Sequence, residues 1–135
     1  MRPVASANPR RYLAVWFPFL SSDRLRREEM SRGCAGQDDA SGSAFAVVLV
    51  ENVRGALRLA ALDAKACALG LTQGMTLADA QARTPTLRTV VHSPDADSAL
   101  LAQVLEDFGR FTPMAATDGD DGLILDVTGC AHLFG

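Results

Sequence analysis

Lysine is almost missing from this 135-residue sequence: Lys65 stands alone beside twelve arginines. No glycine-rich run ends in Lys and Ser or Thr, so a P-loop phosphate cradle is excluded, and Gly55, Gly70 and Gly74 read as turn glycines. The arginine excess is a compositional bias and carries no function. Cysteine is scarce too. Cys34, Cys67 and Cys130 make no paired framework, which fits a reducing compartment. Structural zinc needs two closely spaced ligand pairs. Only Cys130 and His132 are near one another, with His92, Cys67 and Cys34 far along the chain, so no metal is expected. No stretch reaches the roughly 18 apolar residues of a membrane span, and "MRPVASANPRR" lacks the apolar segment of a secretory signal. A cytoplasmic protein with no membrane partner is expected.

What is present is ordinary for one soluble domain, with 48% apolar and 21% charged residues. The net charge of −3 hides a gradient. Residues 1–32 carry seven Arg against Asp23, Glu28 and Glu29, whereas residues 92–135 carry eight acids against Arg110 alone. The basic start suits either a phosphate contact or a solvated helix face.

Along the chain, "YLAVWFPFL" opens as a strand whose end holds Trp16, Phe17 and Pro18, with no acid, base or nucleophile. "SSDRLRREEM" reads as a helix capped by Ser21 or Ser22, with Leu20, Leu25 and Met30 on one side. A mobile loop is expected over 31–44. "AFAVVLVE" and "GALRLAAL" read as paired strands joined at Asn52 to Gly55. "DAKACALG" is a short helix stopped by Gly70. "TLADAQARTP" is a second helix, with Thr76 as cap and Pro85 after it. "LRTVVH" reads as a strand, "SPDADSALLAQVLEDFGRF" as a long helix, and "MAATDGDDGLILDVTG" as a hairpin turning near Asp118 to Gly122. The first strand and this hairpin belong on one edge of an antiparallel sheet. His92, ending a strand with no evident acid partner, reads as structural. The carboxylates at the hairpin tip suit turn chemistry, although enzymes that join nucleotides hold two divalent ions between acids of neighbouring strands.

With "AALDAKACALGLTQGMTLADAQARTPTL" and "LILDVTG", this order of elements resembles the Y-family (UmuC-like, lesion-bypass) DNA polymerases from Arg11 to Gly135. The resemblance implies an α/β (α+β) fold: part of a palm sheet, with a small fingers region inserted after its first strand and helix. It divides the chain into a tail (1–10), the first palm strand and helix (11–30), the loop (31–44), the fingers (45–85), and a palm strand, long helix and hairpin (86–135), with the palm continuing beyond. The family's first strand ends Asp–aromatic–Asp, where this chain has Trp16, Phe17 and Pro18. Its hairpin Asp–Glu falls on Asp121 and Gly122, and its triphosphate-binding Tyr and Arg fall on Ala64 and Cys67.

By that correspondence the catalytic and nucleotide-binding sites are degenerate, and the rings after the first strand are expected to pack the vacated site. "LAVWFPFL" and "LDVTGCAHLFG" are most similar to the ImuB group of the family, bacterial relatives read as non-catalytic. This likeness implies a DNA- and protein-binding scaffold in error-prone translesion synthesis and damage-induced mutagenesis, associated with the bacterial nucleoid and without cofactor. Its implied partners are DNA, the sliding clamp, a RecA-like accessory protein and an error-prone C-family polymerase. Arg54 and Arg58 are the candidate DNA contacts. Two other readings stand beside this one. In the first the chain is an active polymerase, with Mg²⁺ on displaced acids such as Asp118 or Asp120. In the second it is a stand-alone protein-interaction module.

Overall fold

A computed structural model of the chain describes residues 9–33 and 45–130. Most of the expected tail and loop, with Cys34, lies outside the described residues, as does His132. The elements are β1 (Tyr12–Trp16), α1 (Leu20–Ser31), β2 (Val47–Val53), β3 (Ala56–Leu62), α2 (Ala64–Ala68), α3 (Leu77–Arg83), β4 (Arg88–Val91), α4 (Pro94–Phe108), β5 (Ala115–Asp118) and β6 (Gly122–Asp126). They form two compact units, Met1–Pro18 with Ser98–Gly135, and Phe19–Asp97. The mixed α/β architecture agrees with the fold class read from the sequence.

The first unit holds an antiparallel sheet in the order β1–β6–β5. The alternation in "GLILD" decides its faces. Leu123 and Leu125 are buried on one face, opposite Val15 and Leu13 in register, while Ile124 points to the other with Ala14 and Ala116. Leu101 of α4 is buried as well. Past the strands, the Val127 N–H donates to the Arg11 carbonyl at 2.9 Å, and the Thr112 hydroxyl donates to the Asp126 carbonyl at 2.7 Å. These bonds satisfy backbone groups that the short ladder leaves open.

The second unit is a sheet in the order β3–β2–β4, with β2 antiparallel to β3 and parallel to β4. The residues from 86 onward are thus divided between two sheets, because β4 hydrogen-bonds to β2 and not to the strands of the last hairpin. A strand paired on both sides and covered on both faces reads as a continuous apolar run, and "VVLV" of β2 is that run. Val48 and Val50 join Ala46, Leu59, Ala66, Leu71 and Ala80 in the core, while Val47 and Leu49 are buried on the opposite face. Helix α1 packs beside β2 and β3.

Local chemistry sets the helix ends. The Asp63 carboxylate accepts from the Ala66 N–H at 2.8 Å and the Thr76 hydroxyl accepts from the Asp79 N–H at 3.2 Å, each an N-cap. Gly70 follows α2 at φ 82°, with its own N–H on the Cys67 carbonyl and the Leu71 N–H on the Ala66 carbonyl, a Schellman ending. Neither Ser21 nor Ser22 caps α1. The helix starts at Leu20 after Phe19, which makes no side-chain cap bond. Instead, the Ser22 hydroxyl donates to the Phe19 carbonyl and the Ser21 hydroxyl to Asp97. Nor is the inward side of α1 wholly apolar: Ser22 and Arg24 are buried with Leu20, and Met30 is exposed.

Candidate functional site

Strand β1 stops where its ladder runs out of donors. The Phe17 N–H makes one last bond, to the Asp121 carbonyl at 2.8 Å, and Pro18 has no N–H to continue it. This end of β1 therefore lies against the hairpin between β5 and β6, with Trp16 opposite Gly122. Trp16 does not pack inward as expected. It is 70% exposed, because it stands on the face of β1 away from Leu123 and Leu125 and has Ala14 and Gly122 for neighbours there. Its ring is oriented by one bond, from the indole Nε1–H to Oδ2 of Asp121 at 3.0 Å.

Gly122 is required where it is. A Cβ built on it would lie 2.7 Å from the Asp118 carbonyl oxygen and 3.4 Å from that of Val15. The first distance is shorter than any real contact, so the close return of β6 on β5 leaves room for hydrogen only. Asp118, Asp120 and Asp121 are exposed around this turn. Asp126, the fourth acid, is committed elsewhere: it accepts from the Thr128 N–H at 2.9 Å, and the Thr128 side chain first, then this backbone bond, hold its carboxyl below the usual range. Among the described residues no three His, Cys, Asp or Glu side chains gather where they could hold a metal ion.

The remaining sequence-derived candidates are in the second unit. Ala64 and Cys67 lie on α2, both exposed. Arg54 (φ 54°) and Gly55 (φ 83°) form the β2–β3 turn, a pair of left-handed residues that suits a two-residue hairpin. The Asn52 side chain accepts from the Gly55 N–H at 2.9 Å and holds this turn closed. Arg54 is thereby presented at an exposed tip. Arg58 is not free in that way, since its Nη1 donates to the Gly74 carbonyl at 2.9 Å.

The structure also assembles a cluster that the sequence reading missed. In the first turn of α4, Asp97 is buried and accepts from Ser21 Oγ at 2.5 Å, Arg24 Nε at 2.6 Å and His92 Nε2 at 3.0 Å. Arg24, itself buried, reaches Glu28 at 2.8 Å through Nη1. His92 therefore does have an acid partner, five residues on. Its Nδ1 is buried without a hydrogen bond among the described residues. Glu29 and Arg88 form a second ion pair between α1 and β4, and the Arg88 bond holds the Glu29 carboxyl below its usual range.

Burial opposes the charge on Asp97, but the bonds from Ser21, Arg24 and His92 together outweigh it and hold the carboxyl below the usual range. A carboxyl depressed by folding stabilises the native state above its unfolded pKa, and the gain is lost as pH falls through the folded value. Urea midpoints should therefore hold as pH drops to about 4 and fall below that. Asp97→Asn should start lower and show a flatter dependence across the same window.

No protein-family model matches the chain. Protein ImuB of Caulobacter vibrioides, in strains NA1000 / CB15N and ATCC 19089 / CIP 103742 / CB 15, is 49% identical over 67 residues. That match covers 50% of this chain and 15% of the relative. Among solved structures, Dbh DNA polymerase in a post-insertion binary complex superposes with a TM-score of 0.71 at 16% identity, over 90% of this chain and 33% of that one. DinB from Sulfolobus solfataricus gives 0.67 at 16% identity, over 90% and 32%. A Y-family DNA polymerase chimera containing Dbh gives 0.65 at 18%, over 87% and 32%. The chain is similar to Protein ImuB over half of its length and has the fold of these polymerase structures. It spans about a third of the length of the solved polymerases, and the fold is what those distant likenesses establish. No helix among the described residues is long and apolar enough to cross a membrane.

Proposed function

We propose that the chain acts as a non-catalytic Y-family homologue, a DNA- and protein-binding scaffold in error-prone translesion synthesis and damage-induced mutagenesis. The observation that carries this reading is the pairing at the end of β1. By family resemblance, Trp16, Pro18, Asp121 and Gly122 occupy the positions of catalytic and metal-binding acids. An indole N–H donates and cannot ligate a cation, and here it is aimed at the one acid that remains, Asp121. The neighbouring acid cannot be regained by a side-chain change alone, because Gly122 has no room for a Cβ. Mg²⁺ takes six oxygen ligands, and a two-ion site needs carboxylates from both strands. The residues present do not fit that site.

Other features support the same reading. Ala64 and Cys67 offer neither the phenol nor the guanidinium that would hold a triphosphate. In this reading β1, β5 and β6 belong to the palm, residues 45–85 are the fingers, and Arg54 at its exposed tip is the stronger candidate for a phosphate contact. The sliding clamp, a RecA-like accessory protein and an error-prone C-family polymerase are the proposed partners, and the bacterial nucleoid is the proposed location. Primer extension by the protein at its full natural length, with Mg²⁺ and then Mn²⁺, tests the proposal when binding to the same primer–template is measured in parallel. Binding without incorporation is the expected result. Incorporation abolished by Asp118→Asn or Asp121→Asn would overturn it.

A further inference from the structure

The face of the β1–β6–β5 sheet that bears Trp16 combines two properties. It is apolar at its centre, with Tyr12 58%, Trp16 70% and Ile124 38% exposed. Their small neighbours in register on this face are Ala14, Ala116 and Gly122, so the large side chains stand clear of the surface. Clusters of exposed aromatic and aliphatic side chains on a sheet face mark interaction sites.

The second property is charge, and it is uneven. At the Tyr12 end, Asp126 lies close enough to Arg10 for the two charges to interact. At the Trp16 end Asp118, Asp120 and Asp121 surround the turn, and the described hydrogen bond to them from a side chain is the neutral one of the Trp16 indole. The three exposed carboxylates of this turn, one of them bonded to the indole, repel a phosphate backbone. They suit a guanidinium or ammonium group, which gains from both the carboxylates and the ring face.

We infer that this face is a docking surface for a protein segment of mixed basic and apolar character. Apolar side chains of the segment lie on Tyr12, Ile124 and the indole, and an Arg or Lys enters among Asp118, Asp120 and Asp121. The inference rests on the reading of this edge as free of metal chemistry, since bound cations would occupy the same acids. It assigns a use to a strand end that has lost another.

Trp16 is the sole tryptophan of the chain, so its fluorescence reports on this face directly. The experiment is a titration of the chain with a synthetic peptide of alternating arginine and leucine. An alternating glutamate–leucine peptide and a single-stranded oligonucleotide are titrated in parallel. The basic peptide should shift Trp16 emission to the blue and saturate, while the other two leave it unchanged. Asp118→Asn/Asp120→Asn removes two charges and keeps the Trp16–Asp121 bond, and it should weaken the peptide roughly fivefold to tenfold. A basic peptide without effect, or one equally effective on the double variant, overturns the inference. Saturation by the oligonucleotide does so in favour of nucleic acid. Incorporation in primer extension would instead remove the non-catalytic reading, whereas a silent peptide titration leaves that reading in place.

Discussion

Asp97→Ala is expected to cost about 3–5 kcal/mol, the usual effect of removing one member of a buried ion pair. The carboxylate is the shared acceptor of Ser21, Arg24 and His92, and the variant takes that acceptor from all three. Arg24 keeps Glu28, but its Nε loses a partner in a buried position. Against a total stability of about 5–15 kcal/mol for a small domain, the loss is large enough to unfold much of the population on mild heating. The same physics separates a broken pair from a removed one. Replacing both charges, as in Arg24→Met/Asp97→Leu, should cost less than the single change, because no guanidinium is then left buried beside an empty acceptor position, although Ser21 and His92 still lose their partner. Urea denaturation monitored by far-UV circular dichroism measures both. A single variant within about 0.5 kcal/mol of the parent, the range of ordinary surface changes, would show that the cluster is not a support of the fold.

Gly122→Glu is expected to destabilise the last hairpin by about 1–3 kcal/mol, the range for overpacking a close contact, and to restore no metal site. The clash begins at the Cβ, 2.7 Å from the Asp118 carbonyl oxygen, and so it does not depend on the carboxylate. Gly122→Ala should therefore lose nearly as much as Gly122→Glu, which a thermal melt of the three proteins will show. An alanine variant as stable as the parent would mean that the hairpin yields easily, and the glutamate position would then be open to return.

Much of the fold was legible because local chemistry specifies it. "AFAVVLVE" is apolar at every position that a doubly covered central strand requires, and Asp63, Thr76 and Gly70 each carry out the capping that their residue types imply. The pairing of the first strand with the last hairpin was also legible, from the apolar run before Trp16 and the order of the elements. The parallel pairing of β4 with β2 was not, because four residues of "RTVV" fit an edge position in either sheet. Nor was the Asp97 cluster, whose bonds to Ser21 and Arg24 span 76 and 73 residues. Ser21 and Ser22 look like caps until the partner of the Ser21 hydroxyl is known.

The candidate site divides in the same way. The residue types at Trp16, Pro18, Asp121 and Gly122 are plain in the sequence. The exposure of the indole, its bond to Asp121 and the lack of space at Gly122 are properties of the backbone approach, which no residue type announces. Arg58 illustrates the reverse case. It reads as a free basic side chain, and its bond to the Gly74 carbonyl ties it to a neighbouring loop.

The measurement that tests the central claim most directly is a Mn²⁺ titration of the chain monitored by Trp16 fluorescence. Mn²⁺ is a paramagnetic quencher that replaces Mg²⁺ at oxygen sites, and the indole lies 3.0 Å from the Asp121 carboxylate that would have to hold it. An edge without a metal site predicts weak quenching that rises linearly with Mn²⁺ and is the same in Asp121→Asn. Saturable quenching that Asp121→Asn abolishes would place a divalent ion on this edge and contradict the account.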